Sequence, residues 1–172
     1  MKKIIFCFFI ILMVSAVSCK TTSTASGGGT STPVASASNF DARTVTREQY
    51  NTTMEEVRSF IDGLNNTIRR RDYEGWKASL SPEYFAEISS PENLQRLSEL
   101  PAMRTRNITL RTSHDYFQHV VVPARANSRV DDIEFVGSNR VKAFTIAIRA
   151  GEEQRLLLYD LEKIGNTWKI IN

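Results

Sequence analysis

Hydrophobic and polar residues alternate through the last third of the chain, as they do in half-buried β-strands. Four such stretches follow one another, at residues 129–136, 140–149, 155–163 and 167–171. Only a few residues separate them, and Gly165-Asn166 is typical of a two-residue hairpin turn. Because short connections bring consecutive strands side by side, the pattern predicts a four-stranded antiparallel meander.

This sheet carries a large apolar surface that needs a cover. In the second stretch, Phe144, Ile146 and Ile148 form a bulky face, opposite a face of small or β-branched side chains. The large apolar side chains of the four stretches are Phe135, Phe144, Ile146, Ile148, Tyr159, Leu161, Trp168 and Ile170. Segments upstream must therefore cover one face of the sheet.

The segment from Thr46 to about Arg71 is suited to that cover. Thr46 and Gln49 have the spacing of a capping box, which predicts a helix start. Apolar residues then recur at spacings of three and four, at Tyr50, Met54, Val57, Phe60, Ile61, Leu64 and Ile68. The pattern predicts an amphipathic helix about 39 Å long, at roughly 1.5 Å per residue.

Short helices should follow the long one. Asp72 can cap the first, and Ser81-Pro82 and Ser90-Pro91 start two more, because proline is favoured at the first helical position. Pro101 should close this run. Residues 102–112 have no clear pattern, although Ile108 and Leu110 permit a short strand.

Residues 114–122 fit two structures. Tyr116 and Phe117, with the valines that follow, suit a helix capped by Ser113, whereas the run Val120 to Val122 favours a strand. We expect a helix that ends before Pro123. The whole pattern predicts an α+β fold, in which a long N-terminal helix and short helices pack against a curved, cone-like antiparallel sheet of four strands.

The amino terminus has the three parts of a secretory signal. Lys2 and Lys3 precede an uncharged run, residues 4–14, and small residues follow it. As a helix this run would measure about 16 Å, against roughly 30 Å for a hydrocarbon core, so we interpret it as a signal peptide and not as a membrane span.

Cys19 follows this segment directly. The run Ala16-Val17-Ser18-Cys19 resembles the lipobox of bacterial lipoproteins, in which the cysteine is acylated and becomes the new amino terminus. The resemblance implies a lipoprotein signal peptide at 1–18 and membrane attachment through acyl chains on Cys19, outside the cytoplasm, on the periplasmic face or at the cell surface. The alternative is an ordinary cleavage site, since Ala16 and Ser18 are also small residues.

Residues 19–45 are rich in Ser, Thr, Gly and Ala, so we expect a flexible tether between Cys19 and a domain at 46–172. Cys7 is the other cysteine, and it lies in the signal peptide, so the processed chain should have no internal disulfide. Without Lys2 and Lys3, 20 basic residues face 19 acidic ones. This balance gives no reason to expect nucleic-acid binding.

Candidate chemistry is sparse. His114 and His119 are five residues apart and would point in different directions on a helix or a strand, so we predict no metal site. The sequence has no Gly-x-Ser-x-Gly motif and no phosphate-binding loop, which gives no basis for assigning catalytic residues or a cofactor.

The order of elements, with Asp72 to Trp76, Leu80 to Tyr84 and Tyr159 to Ile170, resembles the nuclear transport factor 2-like or SnoaL-like superfamily, and in particular such domains in spirochaete lipoproteins. The resemblance implies a sheet folded around the long helix as a cone, and in some members a homodimer. Residues that could line a cavity in the cone are Trp76, Tyr84, Phe117, Phe144, Tyr159 and Trp168.

Two functions follow from this interpretation. The preferred one is a lipid-anchored envelope protein whose domain binds a small apolar ligand or a protein partner without catalysis. The alternative is a small acid–base enzyme of the isomerase, cyclase or dehydratase type, for which His114, His119, Asp115, Tyr73, Tyr84 and Tyr159 are the candidate groups. An enzyme should have an ionisable residue with a perturbed pKa at the base of a deep cavity.

Overall fold

A long helix, a series of short helices and a four-stranded sheet make up the part of the chain that the computed structural model describes, residues 40–172. The helices are α1 (Arg47–Arg69), α2 (Tyr73–Ala78), α3 (Pro82–Ile88), α4 (Pro91–Ser98), α5 (Pro101–Arg104), α6 (Ser113–Tyr116) and α7 (Val122–Arg125). The strands are β1 (Asp132–Gly137), β2 (Arg140–Arg149), β3 (Glu152–Ile164) and β4 (Thr167–Ile170).

The predicted fold class is confirmed. The strands pair antiparallel in the order β1-β2-β3-β4, and the helices precede them, which makes an α+β fold. The signal peptide at 1–18, Cys19 and the tether as far as residue 39 lie outside the described residues. The last residues before the domain have local order, since Ala42–Thr44 form a 3-10 turn and the Phe40 ring lies 6.5 Å from the Phe135 ring.

Local capping sets the start of three helices. Thr46 Oγ1 accepts a hydrogen bond from Gln49 N at 3.1 Å, and Gln49 Oε1 accepts one from Thr46 N at 2.8 Å, so the predicted capping box is present. Ser81 and Ser90 accept from the amides of Tyr84 and Asn93 in the same way. Each hydroxyl satisfies an amide that the first helical turn leaves without a partner.

Several predicted boundaries are wrong. Pro101 does not close the helical run but begins α5. Residues 105–111, where the sequence permitted a strand without predicting one, contain none. Thr112, not Ser113, caps α6, through a hydrogen bond from Asp115 N at 3.1 Å. Strand β3 begins at Glu152 instead of residue 155. Ala150 and Gly151 both have positive φ, 53° and 86°, so two residues complete the turn.

The helix also does not end before Pro123. Between α6 and α7, residues Phe117–Val121 form a π-helical turn, and Val122 N–H donates to Phe117 O five residues back. Pro123 then lies in the first turn of α7, and Val121 and Val122 before it keep right-handed helical φ and ψ. The helical path therefore continues to Arg125.

The register determines which face of the sheet is covered. Val141 pairs with Phe135 on one side and with Leu161 on the other, and Leu161 pairs with Ile170. These side chains lie on the inner face, which packs against α1 through its buried residues Met54, Val57, Ile61, Leu64 and Ile68.

The bulky face of β2 lies on the other side of the sheet. Because side chains alternate along a strand, Phe144, Ile146 and Ile148 point away from Val141 and Ala143, which are fully buried in the core. Ile148 is 75% exposed. The helices therefore cover the face of small side chains in β2, and the bulky residues of that strand remain outside.

Candidate functional site

A cavity of about 230 Å³ lies between the short helices and the end of the sheet. Its wall includes Trp76 from α2, Tyr84 from α3, Tyr116 from α6, and Tyr159 from β3. Leu80 and Ile170 contribute apolar surface. Four aromatic side chains from four elements thus converge on one small cavity.

Two hydrogen bonds hold the helical side of the cavity against the sheet. Ser81 N–H donates to Ile170 O at 2.8 Å, and Ile170 N–H donates to Ser79 O at 2.9 Å. They connect β4 to the junction of α2 and α3, where Leu80 forms an isolated bridge with Ile170. Because Trp76 precedes this junction and Tyr84 follows it, the same contact positions both rings.

The π-helical turn positions a second part of the wall. Residues five apart in an α-helix lie about 140° apart around its axis, at 3.6 residues per turn. Hydrogen bonds from residue i to i+5 widen the turn, so Tyr116 and Val121 both reach the cavity. Arg125, one turn further on, does so too.

A β-bulge forms the strand side of the wall. Ala143 pairs with Tyr159 and Phe144 pairs with Leu157, which leaves Leu158 as an extra residue in β3. A bulge bends its strand and redirects the side chains beside it. Leu157, Leu158 and Tyr159 all line the cavity, which a regular alternating strand would not allow.

The cavity contains one cation, Arg125. Its guanidinium lies 5.1 Å from the centroid of the Tyr159 ring, within the range of a cation–π interaction. Arg125 is half-buried, and in the described part of the chain no carboxylate lies within 4.0 Å of it. The wall contains no Asp, Glu or His among the described residues.

The tyrosine hydroxyls of the cavity remain protonated at neutral pH. Burial raises the pKa of Tyr84 to about 12. Burial likewise raises the pKa values of Tyr116 and Tyr159, although the positive charge of Arg125 opposes the shift in both. Neutral phenols in this position can donate hydrogen bonds but are poor bases.

Three of the six predicted lining residues come together here: Trp76, Tyr84 and Tyr159. Phe117 lies beneath them, fully buried, with its ring centroid 5.0 Å from that of Trp76. It supports the wall without lining the cavity.

The other two predicted lining residues are elsewhere. Phe144 is on the outer face of the sheet, where the guanidinium of Arg155 lies 3.4 Å from its ring centroid. Trp168 is at a separate shallow cleft beside α1, and its Nε1 donates to Glu56 Oε2 at 3.1 Å. Neither residue lines the aromatic cavity.

The candidate acid–base groups other than the tyrosines do not reach the cavity wall. Asp115 caps α6 and accepts hydrogen bonds from the backbone amides of Arg111 and Thr112. His114 is exposed, and its ring lies 5.1 Å from that of Tyr73. Tyr73 in turn shares a 2.6 Å hydrogen bond with Ser113.

Sequence reasoning missed Arg125 and Tyr116 as lining residues. A helix ending before Pro123 would have placed Arg125 in a loop. The signal that could have found it is the match of Pro123 to the first turn of a new helical segment, which carries the helical path two residues further.

Comparison with known proteins gives one informative match. The chain is 37% identical over 132 residues to an uncharacterised lipoprotein of Treponema pallidum (strain Nichols), covering 77% of this chain and 67% of the relative. No family model matches, and no solved structure matches. The relative is a spirochaete lipoprotein, and the chain belongs to its family. Within residues 40–172 no helix is both long and apolar enough to cross a membrane.

Proposed function

We propose that this protein is a lipid-anchored protein of the cell envelope whose domain binds a small, mainly apolar molecule in the aromatic cavity, without chemical conversion. The observation that carries the proposal is the composition of the cavity wall. It combines Trp76, three tyrosines and aliphatic side chains with a single cation, and the described wall residues include no Asp, Glu or His side chain. Walls that combine aromatic and aliphatic surface with placed polar groups are typical of ligand sites.

Binding is favoured over acid–base catalysis because of the same wall. A catalytic base must lie within hydrogen-bond reach of the proton that it removes, and its pKa should be near the working pH. With a pKa of about 12, Tyr84 is not such a base. The remaining candidates lie outside the wall, namely His114, His119, Asp115 and Tyr73.

The anchor is proposed from the sequence. The charged start, the apolar run and the placement of Cys19 agree with lipidation at that residue, and the treponemal relative is named a lipoprotein. The polar residues that follow Cys19 would then separate the domain from the headgroups. The acyl chains would be the attachment to the membrane.

The assignment to the nuclear transport factor 2-like superfamily is also a proposal. The order of a long helix, short helices and a four-stranded antiparallel meander supports it, as does a cavity between the short helices and the sheet. Under this assignment the aromatic cavity would correspond to the interior of the cone.

A neutral fluorescent probe can test ligand binding. Because the buried core residues of the described part all lie between Met54 and Ile170, a chain that starts at Lys20 keeps that core and omits the predicted lipidation site. We expect N-phenyl-1-naphthylamine, which brightens in apolar surroundings, to bind this chain saturably. Leu158→Trp should fill the cavity and weaken binding at least about tenfold.

Leu100→Trp is the matched control, since Leu100 is 43% exposed and does not line the cavity. Circular dichroism should show that both variants fold. Saturable binding that survives Leu158→Trp in a folded protein would place the ligand elsewhere. A wild-type chain that fails to bind the probe would contradict the proposal.

A further inference from the structure

Arg125 differs from other arginines that pack on the domain. Arg58 and Arg69 donate to the backbone carbonyls of Val130 and Ala126. Arg140 binds Asp160, and Arg155 binds Asp132 and Glu134, each with a donor–acceptor distance of 3.1 Å or less. These guanidinium groups are neutralised by carboxylates of the domain itself. Arg125 has no carboxylate within 4.0 Å among residues 40–172.

The surroundings of Arg125 make the lack of a nearby carboxylate energetically unfavourable. A half-buried charge next to aromatic rings has lost part of its hydration, and a cation–π contact replaces only some of it. The contact with the Tyr159 ring is the compensation that the described structure provides. An anion in the cavity would supply the remaining compensation for the lost hydration of Arg125. Water screens this interaction less in the cavity than at an open surface.

The geometry points to an organic anion, a small carboxylic acid with an aromatic or aliphatic body, as the ligand class of this cavity. This inference rests on the proposed binding function. The planar guanidinium of Arg125 would take the carboxylate, since the two groups match in shape and can form two parallel hydrogen bonds. The body of the acid would lie against Trp76, Leu80 and Ile170.

The tyrosines of the wall fit the same ligand. A phenol that stays protonated can donate its hydrogen to a carboxylate oxygen, whereas an ionised one would repel it. Tyr84 and Tyr116 both line the cavity together with Arg125. A cation beside neutral phenols therefore favours an anionic ligand over a cationic one.

The size of the cavity limits the acid. Drug-sized ligands occupy sites of about 300–1,000 Å³. The cavity measures about 230 Å³, which is below this range and limits the ligand to a compact acid. The hydrogen bond from Ser128 Oγ to Arg125 O at 3.2 Å holds the backbone at Arg125, and the contact with the Tyr159 ring positions its guanidinium.

A matched pair of probes tests the contribution of the ligand's charge separately from that of its apolar body. 3-Phenylpropionate and 3-phenylpropanamide have nearly the same shape but differ in charge. By isothermal titration calorimetry on the chain from Lys20, we expect the acid to bind at least about tenfold more tightly than the amide. Arg125→Gln should reduce this ratio to about one, while Arg125→Lys should keep part of the preference.

Arg106→Gln is the matched control, because Arg106 is exposed and does not line the cavity. It makes the same change in net charge and should keep the wild-type ratio. Equal binding of acid and amide to the wild type would overturn the anion inference while the binding function stands. If Arg106→Gln lowers the ratio as far as Arg125→Gln does, long-range charge explains the preference and Arg125 is not the receptor. If neither probe binds and N-phenyl-1-naphthylamine does not bind either, the binding function fails with the inference.

Discussion

Arg140 holds both carboxylate oxygens of Asp160, with 3.1 Å from Nε to Oδ1 and 2.7 Å from Nη2 to Oδ2. The Asp160 side chain is 6% exposed and that of Arg140 is 46% exposed. The backbone of Asp160 also binds the end of the chain, since its carbonyl accepts from Ile171 N at 2.9 Å. One residue pair thus connects β2, β3 and the segment after β4.

Substituting Arg140 and substituting Asp160 should lower the stability of the protein by different amounts. Arg140→Gln leaves a buried carboxylate without its partner and should lower the free energy of unfolding by roughly 1–3 kcal/mol. Asp160→Asn should cost less, because the half-exposed Arg140 can recover water. Urea denaturation measures both. Arg149→Gln, at the exposed end of the same strand, is the control. A smaller loss for Arg140→Gln than for Asp160→Asn would contradict this explanation.

The cap of α6 should make stability depend on pH. Hydrogen bonding from the Arg111 backbone N–H, the largest cause, and then from Thr112 outweighs burial and holds the pKa of Asp115 below its ordinary value of 3.8. Because the folded-state pKa is the lower one, the stabilisation is complete above the unfolded-state pKa and is lost as the pH falls through the folded-state pKa. Asp115→Asn should cost about 1 kcal/mol at pH 7.

The test is the difference in unfolding free energy between wild type and Asp115→Asn, followed from pH 7 to about pH 3. The difference should shrink as the pH falls below 3.8. Glu83→Gln, in the first turn of α3, is the control and should show no comparable cost at neutral pH. A difference for Asp115→Asn that stays constant over the whole range would show that its charge is not responsible.

Two glycine substitutions should have opposite signs. Gly63 lies within α1, and a Cβ there would meet no atom within 4 Å, so Gly63→Ala should stabilise the protein by about 0.5–1 kcal/mol through helix propensity. Gly151 also has space, but its φ is 86°, so Gly151→Ala should destabilise by about 1 kcal/mol. Thermal denaturation of the two variants is the measurement. A loss of stability in Gly63→Ala would show that α1 requires the glycine for a reason other than space.

Lipidation at Cys19 predicts where the protein is found. Cys19→Ser should abolish metabolic labelling with an alkyne fatty acid and move the protein from the membrane fraction to the soluble fraction. Cys7→Ser, in the predicted signal peptide, makes the same substitution and should leave both properties unchanged. Membrane association and labelling that persist in Cys19→Ser would rule out this residue as the anchor.

Short-range signals predicted much of the fold. The Thr46 capping box, the two Ser-Pro starts and the stripe from Tyr50 to Ile68 depend on residues within a few positions of one another, and all appear in the structure. The order of the strands followed from short connections. Such features are legible in the sequence because the atoms that cause them are close along the chain.

The failed boundaries also have local causes. The helix expected to end before Pro123 continues because a π-helical turn changes the helix geometry just before the proline. That turn brings Tyr116, Val121 and Arg125 to one wall, which regular helical spacing would not predict. Which residues line the candidate site therefore depends on this π-helical turn, whose hydrogen bonds span one residue more than those of an α-helix.

The sequence by itself determined the helices, the meander and the presence of a large apolar surface, because each arises from periodicity and turn residues. It could not determine which face of β2 is inside, since an alternating strand with apolar residues on both faces satisfies the pattern either way. Only the tertiary structure decided that Val141 and Ala143 face α1 and that Phe144 packs outside under Arg155. The same holds for the cavity, because its tyrosines and Arg125 come from distant segments that meet only when the short helices pack on the end of the sheet.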